Sequence, residues 1–145
     1  MNIISNLIKY ICVVYPHSNE LSNARLTKLI YLTDWESVRI TGSQITNIKW
    51  YFDNYGPFVR DVYDIAYRDP YIGIVETQTI YGTPKIIFQY LGDKPALEPH
   101  VKEIIDSVIR DTKGMYWNGF IEYVYSTPPI VKSNRYTYLD LIEFR

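Results

Sequence analysis

The sequence predicts a helix-dominated α+β domain with one small antiparallel β-sheet, and three observations carry that reading. Several stretches place apolar residues at the three- and four-residue intervals of an amphipathic helix. One stretch, residues 71–91, alternates instead with a period of two and is split by Gly82-Thr83-Pro84, the pattern of a β-hairpin. The chain has 145 residues, 47% hydrophobic and 21% charged, which suits a single globular domain over residues 1–145 with its own core.

In chain order, Ile3, Ile4, Leu7, Ile8 and Ile11 form one face of a first helix, which Pro16 stops. Ser22 or Asn23 caps a second helix running through Leu26, Leu29, Ile30, Tyr31, Leu32, Trp35 and Val38. Gly42 stands where a left-handed C-terminal cap is expected. Apolar residues occupy nearly all sides of this helix, so it is expected to be central and buried. Lys28 and Asp34 then need partners, because a buried charge is expensive alone.

Residues 48–52 read as a short strand, rich in bulky side chains. Tyr55-Gly56-Pro57 reads as a turn, with Pro57 opening a helix over residues 58–67 that Asp69-Pro70 ends. The hairpin follows. A helix is predicted over residues 99–111, with Val101, Ile104, Ile105 and Val108 inward. Another runs from about residue 112 or 114 to 125, with a stripe of Tyr116, Trp117, Phe120, Ile121 and Val124, ended by Ser126-Thr127-Pro128-Pro129. The segment 136–144 is apolar enough to dock, as a strand or as a helix.

Little in the chain points to catalysis. Cys12 is the only cysteine, which excludes an internal disulfide and a cysteine-based zinc site, and its apolar surroundings predict an inert thiol. His17 and His100 have no ligand-spaced neighbours, the seven glycines are isolated, and no nucleophile elbow is present. Asp61 and Asp64 are neighbours on one helix face, and a solvated surface explains them. No metal and no cofactor is expected, and the protein is not expected to be an enzyme. Two consecutive helices could suggest a helix-turn-helix, but the second is rich in Leu, Tyr and Trp. A net charge of −1 also opposes nucleic acid as a partner. The first ten residues do not read as a signal peptide, and no apolar run reaches the ~20 residues of a membrane span, so the cytoplasm is expected. The 15 tyrosines suit polar-edged cores and protein interfaces.

Three segments, taken in order, resemble a known family. They are Leu26-Thr27-Lys28-Leu29-Ile30-Tyr31-Leu32-Thr33-Asp34, then Thr41-Gly42-Ser43-Gln44-Ile45 leading into Trp50-Tyr51-Phe52-Asp53-Asn54-Tyr55-Gly56-Pro57-Phe58, and last Phe120 through Pro129. Together they resemble the Panacea domain, or SocA-like antitoxin domain. The resemblance implies a phage-associated or bacterial antitoxin that neutralises a protein toxin, encoded by a neighbouring gene, through direct contact. A nucleic-acid-binding regulator and a proteolytic adaptor are the alternatives. Lys28, Tyr31, Asp34, Tyr55, Gly56 and Pro57 match the family's motif positions and are the candidate site residues. Scaffold roles are the first expectation for them: Lys28 and Asp34 paired in a buried contact, and Tyr55-Gly56-Pro57 fixing a corner. The toxin surface is then expected elsewhere, on the hairpin or the tyrosine-rich residues 123–138.

Overall fold

The structure, a computed structural model, describes residues 2–145. Helix α1 (Ile3–Val14) is capped by Asn2, whose side chain accepts from the N–H groups of Ile4 and Ser5. A 3₁₀ turn, Ser18–Glu20, leads to α2 (Asn23–Thr41). Ser22 caps that helix through Arg25 N–H, and Gly42 closes it at φ 87°. Helix α2 is buried along most of its length, as its all-round apolar pattern requires.

The next segment departs from expectation. Strands β1 (Phe52–Asp53) and β2 (Gly56–Pro57) form a short antiparallel pair, so Pro57 is a strand residue and not the start of a helix. Gly56 allows this by taking φ 102°. The peptide after Pro57 stays in the ladder, with Phe58 N–H donating to Tyr51 O at 2.9 Å. Helix α3 (Asp61–Arg68) therefore begins three residues later than predicted, and Asp69 ends it.

Strands β3 (Gly73–Gln78) and β4 (Pro84–Gln89) make the predicted hairpin, paired from Gly73↔Gln89 to Gln78↔Pro84. Its body lies mostly in solvent, with Phe88 buried beneath it. Two bonds staple it to the α1–α2 connection: Phe88 N–H to Leu21 O at 3.0 Å and Lys85 Nζ to Asn19 O at 2.8 Å. Helix α4 (Pro99–Thr112) follows with Pro99 in its first turn.

Helix α5 (Trp117–Tyr125) buries Phe120 and Val124, while Tyr116 and Trp117 stay on the surface. The predicted stripe is thus narrower than its apolar composition suggested. Thr127-Pro128 does not only end α5; Pro128 opens the one-turn helix α6 (Pro128–Val131). The last segment docks, as expected, but as neither a regular strand nor an α-helix. Residues 136–139 hydrogen-bond to Trp50 and Phe52, with a bridge at Tyr51↔Tyr138, and Leu141–Phe144 forms a 3₁₀ turn. The architecture is thus helix-dominated α+β with two small antiparallel sheets where one was predicted.

One core unites these elements, with Leu7, Ile8, Leu29, Ile30, Trp50, Val62, Ile105, Phe120 and Leu141 among its members. Arg25 ties three of them together. Its guanidinium donates to Tyr15 Oη at 3.0 Å and Met115 O at 3.4 Å, and it lies over the Phe120 ring at 4.7 Å. Among the described residues, no helix is long and apolar enough to cross a membrane.

Candidate functional site

Helix α2 carries three of the motif residues, and their spacing sends them in different directions. Lys28 and Asp34 are six positions apart, which places them about 120° apart around the helix. They do not pair, contrary to the expectation of a buried contact between them. Asp34 is buried under the loop that leads to β1. Its carboxylate accepts from Ile45 N–H at 3.0 Å, Thr46 N–H at 2.9 Å, Thr46 Oγ1 at 2.5 Å, Trp50 Nε1 at 2.9 Å and Gln44 Nε2 at 3.3 Å. Burial pushes its pKa up, against the downward pull of the bonds from Thr46, Trp50 and Ile45. One side chain thereby folds residues 44–50 around itself.

Tyr31 stands beside that loop. Its ring meets the edge of Trp50 at 5.4 Å, and its hydroxyl is hydrogen-bonded to Thr127 Oγ1 at 2.8 Å. Burial raises its pKa above the ordinary phenol value. Tyr31 therefore joins the first and third resembling segments inside the core.

Lys28 is 2% exposed. Its ammonium lies over the Phe58 ring at 5.8 Å, and the Asp53 carboxylate attracts it without forming an ion pair. Burial pulls its pKa down to about 8, with Asp53 opposing. Gly56 is packed next to it: a Cβ there would come 3.1 Å from Tyr125 Cε1 and 3.7 Å from Lys28 Cε. Gly56 and Pro57 are both buried at this corner.

Tyr55 belongs outside. It is 78% exposed in the β1–β2 turn, and Tyr138 at 75% and Tyr136 at 60% are exposed on the segment that runs beside β1. Tyr138 faces Tyr51 across an antiparallel bridge, with the rings edge to face at 5.1 Å. Tyr136 folds back over the turn at φ 68°, its N–H donating to Phe52 O and its hydroxyl to Asn54 Oδ1. Arg135 braces the same corner through Asn54 O at 3.2 Å and Tyr125 Oη at 3.4 Å. Residues 51–55 and 136–138, joined by these bonds, form a tyrosine-rich surface, the tyrosine face, on which Tyr55, Tyr136 and Tyr138 are exposed.

A family model described as Antitoxin SocA-like, Panacea domain, matches residues 26–129. The chain belongs to the Panacea family. No curated protein and no solved structure matches it. In this Panacea domain the matched span contains all six motif residues, whereas α1 and two members of the tyrosine face, Tyr136 and Tyr138, lie outside it. The motif residues thus divide: Tyr31, Asp34, Gly56 and Pro57 are packed inside, Tyr55 is on the surface, and Lys28 lies just beneath it.

The other candidates of the sequence do not converge on one place. Asp61 and Asp64 sit on the solvent side of α3, with Arg60 Nη2 3.8 Å from Asp64, while Asp34 is deep in the core. Burial pushes the Cys12 thiol up to about 12, so it is protonated at neutral pH. Sequence reasoning missed Arg25, Asn54 and Arg135. The basic residues gave no periodic signal, and Asn54 reads as an ordinary turn residue.

Proposed function

We propose that this Panacea protein is the antitoxin of a toxin–antitoxin pair and neutralises a toxin from a neighbouring gene by direct contact through its tyrosine face. The carrying observation is the exposure of Tyr55, Tyr136 and Tyr138 on two segments that hydrogen bonds hold together. Tyrosines offer large contact area with few rotatable bonds, and burying such anchors supplies much of the energy of an interface. The proposed action is stoichiometric, without catalysis or cofactor, and cytoplasmic. The inert thiol and the dispersed carboxylates support that reading.

The test is co-expression with each adjacent open reading frame, scoring growth and co-purification together. The protein is expected to rescue growth from one toxic neighbour and to co-purify with it. The double variant Tyr55→Ser, Tyr138→Thr is expected to fold with a melting temperature near that of the wild type. It should lose the partner by roughly tenfold or more. If every neighbour is harmless and none co-purifies, the antitoxin reading fails. If the double variant rescues as well as the wild type, the face is wrong.

A further inference from the structure

Lys28 is an exception inside this protein. Every other buried polar or charged side chain among the described residues makes at least one side-chain hydrogen bond: Ser5, Arg25, Thr27, Thr33, Asp34, Ser37, Thr46, Thr112 and Thr127. Lys28 makes none, although its ammonium has three donors. No fully buried side-chain nitrogen or oxygen lacks a partner among the described residues. The small accessible part of Lys28 therefore includes Nζ. The amine is sunk in the protein, yet its tip reaches the surface.

The surroundings of that tip favour an anion. Phe58 walls it on one side, and Tyr125 packs beside Gly56, whose missing side chain keeps the space over the lysine stem clear. Arg135, at the same corner, donates from Nε to Asn54 O and from Nη2 to Tyr125 Oη and forms no ion pair among the described residues. Asp53 on β1 is the carboxylate that acts on Lys28, and it forms no ion pair with the ammonium.

We propose that Lys28 is a carboxylate-binding site beside the β1–β2 corner, filled by an aspartate, glutamate or C-terminal carboxylate of the bound partner protein. The partner's oxygen supplies the hydrogen bond that the ammonium lacks, in a setting where a charge-assisted bond is strong. As an account of the partner's chemistry this rests on the antitoxin reading. Binding of a carboxylate favours the ammonium form, so complex formation above pH 8 takes up a proton and weakens as the pH rises.

Two measurements on the full chain decide it. In the free protein, lysine labelled with ¹³C is followed by NMR, with the Lys28 signal assigned by its absence from Lys28→Met. Sodium acetate is compared with sodium chloride at equal ionic strength. Acetate is expected to shift the Lys28 signal and raise its titration midpoint, while the other lysines respond alike to both salts. A Lys28 signal that ignores acetate, or that follows the ionisation of Asp53 instead, overturns the proposal. With the toxin in hand, Lys28→Met is expected to fold and to weaken the complex roughly thirtyfold or more. Wild-type affinity in that variant removes the anchor and leaves the antitoxin reading intact. An acetate response with no toxin captured does the reverse: it keeps a carboxylate site and removes the antitoxin partner.

Discussion

Two charges on one helix show how much a residue's fate depends on the groups around it. Asp34 receives donors from Gln44, Ile45, Thr46 and Trp50, so its removal strands several polar groups at once. Asp34→Ala is expected to destabilise the fold by about 3–5 kcal/mol, read from urea denaturation. Lys28 has no such support, and Lys28→Met is expected to stabilise the free protein by roughly 1–4 kcal/mol at pH 7. The pH dependence has a definite sign. Below pH 8 the lysine is protonated in both folded and unfolded chains, and the burial penalty is complete. Between about 8 and 10.5 the unfolded chain holds a proton that the folded chain has released, so the wild type gains stability as pH rises. The advantage of Lys28→Met should therefore shrink across that window, measured as the difference in melting temperature. Gly56→Ala should cost about 1–3 kcal/mol, because a side chain at φ 102° is strained and its Cβ meets Tyr125 at 3.1 Å.

At the level of elements, α1 and α3 are clasped by a carboxylate at the end of α3. Asp69 accepts from Ser5 Oγ and Tyr71 N–H and pairs with Lys9 Nζ at 3.0 Å. Burial works against its charge, but Ser5, Tyr71 and Lys9 outweigh it and hold the carboxyl below its usual range. Its contribution is present above the unfolded-state value of 3.8 and is lost as the pH falls through the lower, folded value. Asp69→Asn is expected to lower stability by about 1 kcal/mol at pH 7. That gap should narrow in melts taken at pH values progressively below 3.8. The β3–β4 hairpin is the opposite kind of element. It buries Phe88 and exposes most of its length, and a two-stranded ribbon is marginal by itself. Hydrogen exchange should therefore be faster over residues 73–89 than in the interior of α2.

For the molecule as a whole, a net charge of −1 predicts no salt-sensitive retention of promoter DNA in a gel shift. Retention that fell steeply with salt would favour the regulator reading. What was legible in the sequence was local. The period of the apolar residues located α1, α2 and α4, and Gly42 marked a real left-handed cap. Gly82-Thr83-Pro84 marked the hairpin turn, where Gly82 takes φ 77°. The partners of Asp34 were not legible, since Thr46 and Trp50 come from a loop whose path tertiary packing decides. Pro57 misled because proline suits both a helix start and a strand whose ladder does not need its N–H. Tyr55 and the tyrosine-rich residues 123–138 each stand out in the sequence, but their meeting does not, because no short-range pattern links the two halves. Tyr136 reaches Asn54 across 82 positions of chain. That separation has a temporal meaning during synthesis. At roughly 5–20 residues per second, the ribosome adds Tyr136 about 4–16 s after Asn54. A nascent chain can already hold α2 while the β1–β2 corner still waits for its second half. The surface proposed to meet the toxin therefore comes into being only once residues 136–138 have joined the corner, well after α2 is made.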